Sequence, residues 1–110
     1  MIEKTVLDYL KAALTVPVYA EKPDTQPERY VLIEKTSGSC ENFVYSDTFA
    51  IQSYAESLYE ASKLNEEVKK AMDRIIVLDS IGKSKLNTDY NYTDTAKKVY
   101  RYQAVFDITY

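Results

Sequence analysis

The sequence predicts an α+β domain, a mostly antiparallel sheet of four to five strands with two helices packed on one face. Three observations lead there. The segments 2–14 and 57–75 repeat apolar residues every three or four positions, the period of a helix with one buried side. The remaining apolar and aromatic residues fall in short runs or at period two, as in strands. Helices and strands also come in separate runs rather than in strict alternation. The 110 residues are enough for one core, and no repeat, low-complexity tract or linker divides them, so 1–110 is read as a single domain.

Ile2, Val6, Tyr9, Leu10, Ala13 and Leu14 form the apolar stripe of a first helix, which Pro17 brings to an end. "PVYAEKP" (17–23) reads as a short extended segment. "KPDTQP" (22–27) reads as a turn-rich loop, because its prolines cannot donate a ladder hydrogen bond. "RYVLIEKT" (29–36) is a strand and "SGSCE" (37–41) a loop. "NFVYSDTFAIQSYA" (42–55) is a second strand, antiparallel to the first, with a break near Ser46 and Asp47.

Ser57 followed by Glu60 matches a capping box: the hydroxyl accepts from an early amide while the carboxylate reaches back. Leu58, Ala61, Leu64 or Asn65, Val68, Ala71, Met72 and Ile75 then make the buried stripe of the second helix. Its outer face offers Glu60/Lys63, Glu66/Lys70 and Lys69/Asp73 at spacings where opposite charges add a few tenths of a kcal/mol. "IIVL" (75–78) leads to two final strands, 81–92 and 98–110, joined by the polar turn "TDTAKK" (93–98). Leu86, Tyr90 and Tyr92 share one parity, as do Tyr100, Tyr102, Ala104, Phe106, Ile108 and Tyr110. The register that follows sets Tyr92 against Tyr100 and Tyr90 against Tyr102. The other face of the last strand (Val99, Arg101, Gln103, Val105, Asp107, Thr109) is mixed, suited to water or to a subunit.

Composition narrows the function. A net charge of −3 argues against a dedicated nucleic-acid binder. The basic residues between 81 and 101 read as a solvated face. With no histidine, the side chain best suited to proton transfer near neutral pH is missing. Two glycines cannot build a phosphate cradle or a dinucleotide fingerprint. No apolar run reaches membrane-span length, the first residues lack the apolar core of a secretory signal, and a lone Cys40 suits a reducing cytoplasm.

Individual motifs lead to bland readings. "IGKS" (81–84) ends like a phosphate-binding loop, but Val77 stands where the first glycine belongs. Cys40 has no histidine to make it a thiolate, so it is read as an incidental thiol. "NYT" (91–93) is a chance glycosylation match. Asp89 and Asp94 lack the spacing of a calcium loop, and no catalytic residue, metal ligand or cofactor site is expected. Tyr90, Tyr92, Tyr100, Tyr102 and Tyr110 read as core or sheet-face residues. The other reading is that some of the 11 tyrosines pack on another subunit, because 110 residues offer limited interior for so many rings.

The order of elements carries a resemblance. An initial helix is followed by "VPVYAEKP" and "RYVLIEKT". Next, "FAIQSYAESLYEASKLNEEVKKAM" runs from strand into helix, most sharply at "IQSYAES…EA" (51–61), and two long strands close the chain. Over nearly its whole length this resembles the small tail terminator proteins of long-tailed bacteriophages, also called tail completion or tail-to-head joining proteins. The resemblance implies a virion protein, made in the bacterial cytoplasm, that assembles into a ring of six copies. Such a ring caps the head-proximal end of the tail tube, stops its growth and meets a neck or head-completion protein. DNA passes through the lumen unread, and the family has no catalytic residues or cofactors to carry over.

Head-to-tail association is the expected mechanism. The mixed face of 99–109 and the loops 37–47 and 93–98 are the expected contacts, with Arg101, Gln103, Val105, Tyr45, Asp47, Lys97 and Lys98 as the residues at the subunit or tube interface. Two alternatives stand beside this reading: a neck or minor capsid connector protein, and a small cellular α+β domain that dimerises through its sheet and binds a ligand.

Overall fold

In a computed structural model, which describes residues 1–110, the chain folds as helix α1 (Ile2–Ala13), strands β1 (Val18–Tyr19), β2 (Tyr30–Glu41) and β3 (Val44–Ala55), helix α2 (Leu58–Asp73), a single 3-10 turn (Ile75–Val77), and strands β4 (Lys83–Asn91) and β5 (Tyr100–Thr109). The five strands form one sheet in the order β1-β2-β3-β5-β4. Only the β1–β2 contact is parallel; the others are antiparallel. This is the α+β architecture expected.

Period two decides the faces. Val31 and Ile33 of β2, Phe49 and Ile51 of β3, and Ala104, Phe106 and Ile108 of β5 point to one side. There they meet Ile2, Val6 and Leu10 of α1 and Leu64, Val68 and Met72 of α2 in one buried cluster. Both helices therefore cover the same face. Phe49 and Phe106 stand opposite each other and are fully buried. A buried Phe contributes about 1.5–3 kcal/mol of hydrophobic burial.

Local chemistry sets the ends of the helices. Leu14 is already extended, one residue earlier than its apolar character suggests, and Pro17 bars the helix from running on. At α2, Ser57 is extended and its hydroxyl accepts from the Glu60 amide at 3.2 Å. The return half of the capping box is not made, since the Glu60 carboxylate pairs with Arg29 at 3.4 Å. Arg29 also forks onto Glu56, which is held below its usual carboxylate range first by that hydrogen bond. The three charge pairs expected along α2 give way to Lys69 bridging Glu66 (2.8 Å) and Asp89 on β4 (3.0 Å). Asn65, buried on the same helix, donates to that Asp89 carboxylate at 3.0 Å, so α2 is tied to the edge strand.

Three expectations are corrected. Residues 37–41 are not a loop, and β3 is not broken at Ser46 or Asp47. β2 and β3 pair from Tyr30↔Tyr54 to Glu41↔Val44, and only Asn42 and Phe43 turn the chain. A bulge between Lys35 and Ser37 lets the ladder run on past the glycine. The tyrosine register of the last hairpin is also different: Tyr90 lies opposite Gln103 and Asn91 opposite Tyr102. The cause is a second bulge, between Leu86 and Thr88, which reverses the parity of the strand. Leu86 faces the helices while Tyr90 lies on the helix-free face, where it packs edge-on against Tyr92.

Candidate assembly interface

The expected interface residues fall on three separate surfaces. The first is an arm. β5 reaches only to the Ser46↔Thr109 pair, so the last part of the β2–β3 ribbon projects beyond the rest of the sheet. This ribbon helps to make a molecule of 24 Å cross-section 45 Å long. At its tip Asn42 and Phe43 have φ of 52° and 67°, the turn geometry that matches strand twist but normally calls for Asn-Gly. A phenylalanine there is backbone-strained, and the residue is 95% exposed. Val44 and Tyr45 beside it are half exposed.

The root of the arm is held by Asp47. Although it was expected at an interface, Asp47 is only 3% exposed. Its carboxylate accepts from the Tyr110 hydroxyl at 2.9 Å and pairs with Lys35 at 3.3 Å. Tyr110 stacks on Tyr45, with centroids 5.8 Å apart, and its amide donates to the Tyr45 carbonyl at 2.9 Å. Desolvation, then the Asp47 hydrogen bond, push the Tyr110 phenol above its usual range. Asp47 therefore fixes the arm from inside, while Tyr45 keeps an open flank.

The second surface is the helix-free face of the sheet. Across β1, β2 and β3, Tyr19 meets Tyr30 edge-on with centroids 6.0 Å apart, and Tyr30 stacks on Tyr54 at 4.4 Å. Arg101 lies over Tyr92 at 4.4 Å and donates to the Tyr92 carbonyl (2.7 Å) and the Tyr54 hydroxyl (3.3 Å). From Tyr54 a chain of hydrogen bonds runs through Gln52 (2.8 Å) to Gln103 (2.9 Å) and on to Tyr90. Val105 lies next along β5, two residues before Asp107, which accepts from Thr48 at 2.7 Å. Arg101 and Gln103 thus each make two side-chain hydrogen bonds within the chain, stitching β3, β5 and β4 together.

The third surface is the 93–99 turn, at the end of the sheet opposite the arm, since Ala55↔Tyr100 and Ser46↔Thr109 mark the two limits of the β3–β5 pair. Asp94 and Val99 exchange both backbone hydrogen bonds at 3.0 Å, and the Lys97 amide donates to the Asp94 carboxylate at 3.2 Å. Lys98 takes a left-handed conformation (φ 53°). The ammonium groups of Lys97 and Lys98 are outside every ion pair of the molecule.

Other features resolve simply. The Gly82 amide donates to the Thr109 carbonyl at 2.8 Å, so "IGKS" opens an edge strand and does not wrap a phosphate. Cys40 is exposed on the arm. No three potential metal ligands are grouped together, and no helix is long and apolar enough to cross a membrane. An open groove of about 490 Å³ runs between the helices, lined by Tyr9, Leu14, Glu67, Lys70, Ala71 and Arg74. Tyr9 donates across it to the Ala71 carbonyl at 2.6 Å. Sequence reasoning missed the Phe43 tip and the tyrosine stack. The tip had a signal in "ENFV", an Asn-led dipeptide between two strand-like stretches; the stack had none, since it depends on register.

No protein-family model matches the chain, and a search of curated proteins returns no match.

Proposed function

We propose that this chain is a structural subunit of the tail terminator kind, associating head to tail into a ring, with six copies as the expected number, that caps the head-proximal end of a phage tail tube. In that role it ends tube growth, offers one side to the tube protein and the other to a neck protein, and lets DNA pass through its lumen. The observation that carries this reading is the pairing of unlike surfaces at opposite ends of the sheet, an arm tipped with bare Phe43 and Val44 and a turn bearing Lys97 and Lys98. Unlike ends suit a subunit that meets a tube on one side and a neck on the other, and a head-to-tail ring likewise needs two different patches on every copy. An exposed apolar tip on a strained turn is also costly to keep in a solitary subunit.

Electron microscopy of the purified protein, alone and with assembled tail tubes, tests the reading. Annular particles, or density capping one end of each tube, are expected. A protein that stays single even with tubes present sinks the proposal. Loss of the gene separates the terminator from a neck connector: tails of uncontrolled length are expected for the former, and tails of normal length without heads for the latter.

A further inference from the structure

We propose that the sheet continues from one copy to the next, with the outer edge of β2 receiving β4 of a second copy. The inference rests on the self-assembly reading and names the seam. β1 covers β2 only at Val31 and Leu32, so the outer edge of β2 is bare from Ile33 to Glu41. β4 is the other margin of the sheet and is bare along its whole outer side. Such edges carry unpaired N–H and C=O groups and invite a further strand.

Direction, height and charge all favour this pairing. Three antiparallel steps separate β2 from β4, so the two run in opposite directions. A copy moved sideways within the sheet plane therefore presents β4 antiparallel to β2. The registers put the two edges at the same height: Ser39, Ser46, Thr109 and Lys83 share one rung, and Lys35, Phe49, Phe106 and Leu86 share another. The two bulges flank this second rung, so the faces stay in phase along the seam. On the helix-free face, Ser37 shares its rung with Lys85, Glu34 lies on the rung beyond the bulge, and Glu41 lies beyond Lys83. Two carboxylates on one edge thus bracket two ammonium groups on the other. All four are exposed and none has an ion-pair partner within the chain. The same charges oppose like-with-like pairing, because β4 on β4 would juxtapose lysines and β2 on β2 glutamates. Only unlike edges fit, which is the heterologous contact that a ring needs.

Charge exchange tests the seam. Glu34→Lys with Glu41→Lys, or Lys83→Glu with Lys85→Glu, is expected to weaken self-association roughly tenfold or more in sedimentation, an effect that shrinks at high salt. All four reversals in one chain restore complementarity and bring association back to within a few-fold of the parent. As a second measurement, Ser37→Cys with Lys85→Cys in a Cys40→Ser background is expected to form disulfide ladders between molecules. Within one molecule these positions are three strand spacings apart, roughly 14 Å, beyond disulfide reach. If the parent assembles but the double reversals associate equally well and no ladder forms, the seam is wrong while the ring reading stands. A parent that never assembles, even on tubes, overturns both.

Discussion

Gly38 and Asp47 provide a quantitative test of how the arm is anchored. They face each other across β2 and β3, and a methyl group added at Gly38 would sit 2.6 Å from the Asp47 Oδ1 and 3.3 Å from the Lys35 Cε. Gly38 does not use a left-handed conformation, so its backbone accepts alanine and the carboxylate is the principal obstacle. In isolation Gly→Ala at such a strand position gains about 0.5–1 kcal/mol by restricting the unfolded chain. Here the carboxylate must swing away from the methyl group, and its other oxygen holds Tyr110 and Lys35. A hydrogen bond to a charged group contributes about 1.5–3 kcal/mol. Losing one of the two outweighs the backbone gain, so Gly38→Ala is expected to cost about 1–2 kcal/mol, a fall in Tm of roughly 4–8 °C per kcal/mol. In an Asp47→Ala background the obstacle is gone, and the same substitution should stabilise by about 0.5–1 kcal/mol. Urea unfolding of the four proteins, followed by far-UV circular dichroism, measures the cycle, with an expected coupling of about 1.5–3 kcal/mol. Equal effects of Gly38→Ala in both backgrounds would refute the steric and electrostatic reasoning together.

Ser57→Ala removes the only side chain capping α2 and should cost about 1 kcal/mol in thermal melts, whereas Glu60→Gln should leave the cap intact because that carboxylate turns to Arg29. Tyr30 is held above the usual phenol range, first by desolvation and then by Tyr54. Its contribution is therefore fully present below the ordinary tyrosine pKa and is lost as pH rises through the raised value. Tyr30→Phe keeps the stack on Tyr54, so stability at pH 7 should barely change while the alkaline decline flattens; an unchanged alkaline limb in a Tm–pH series would contradict this.

The sequence by itself determined the fold class, both helices, the Ser57 cap, the buried parity of β5 and the turn at 93–98. Each of these rests on a local signal: a 3.6- or 2-residue period, or a hydroxyl three residues before the amide it caps. Tertiary structure decided the rest. Residues 37–41 carry the composition of a loop and become strand because β3 lies alongside to complete their ladder, and the bulge at Asn87 moves Tyr90 to the opposite face without a trace in the local pattern. Asp47 and Arg101 look like free surface charges in sequence and are tethered in space, by Tyr110 and Lys35 in one case and by Tyr54 and Tyr92 in the other. Periodicity records which side of an element is apolar. It does not record which distant residue lies opposite, and register, bulges and bare edges depend on that partner.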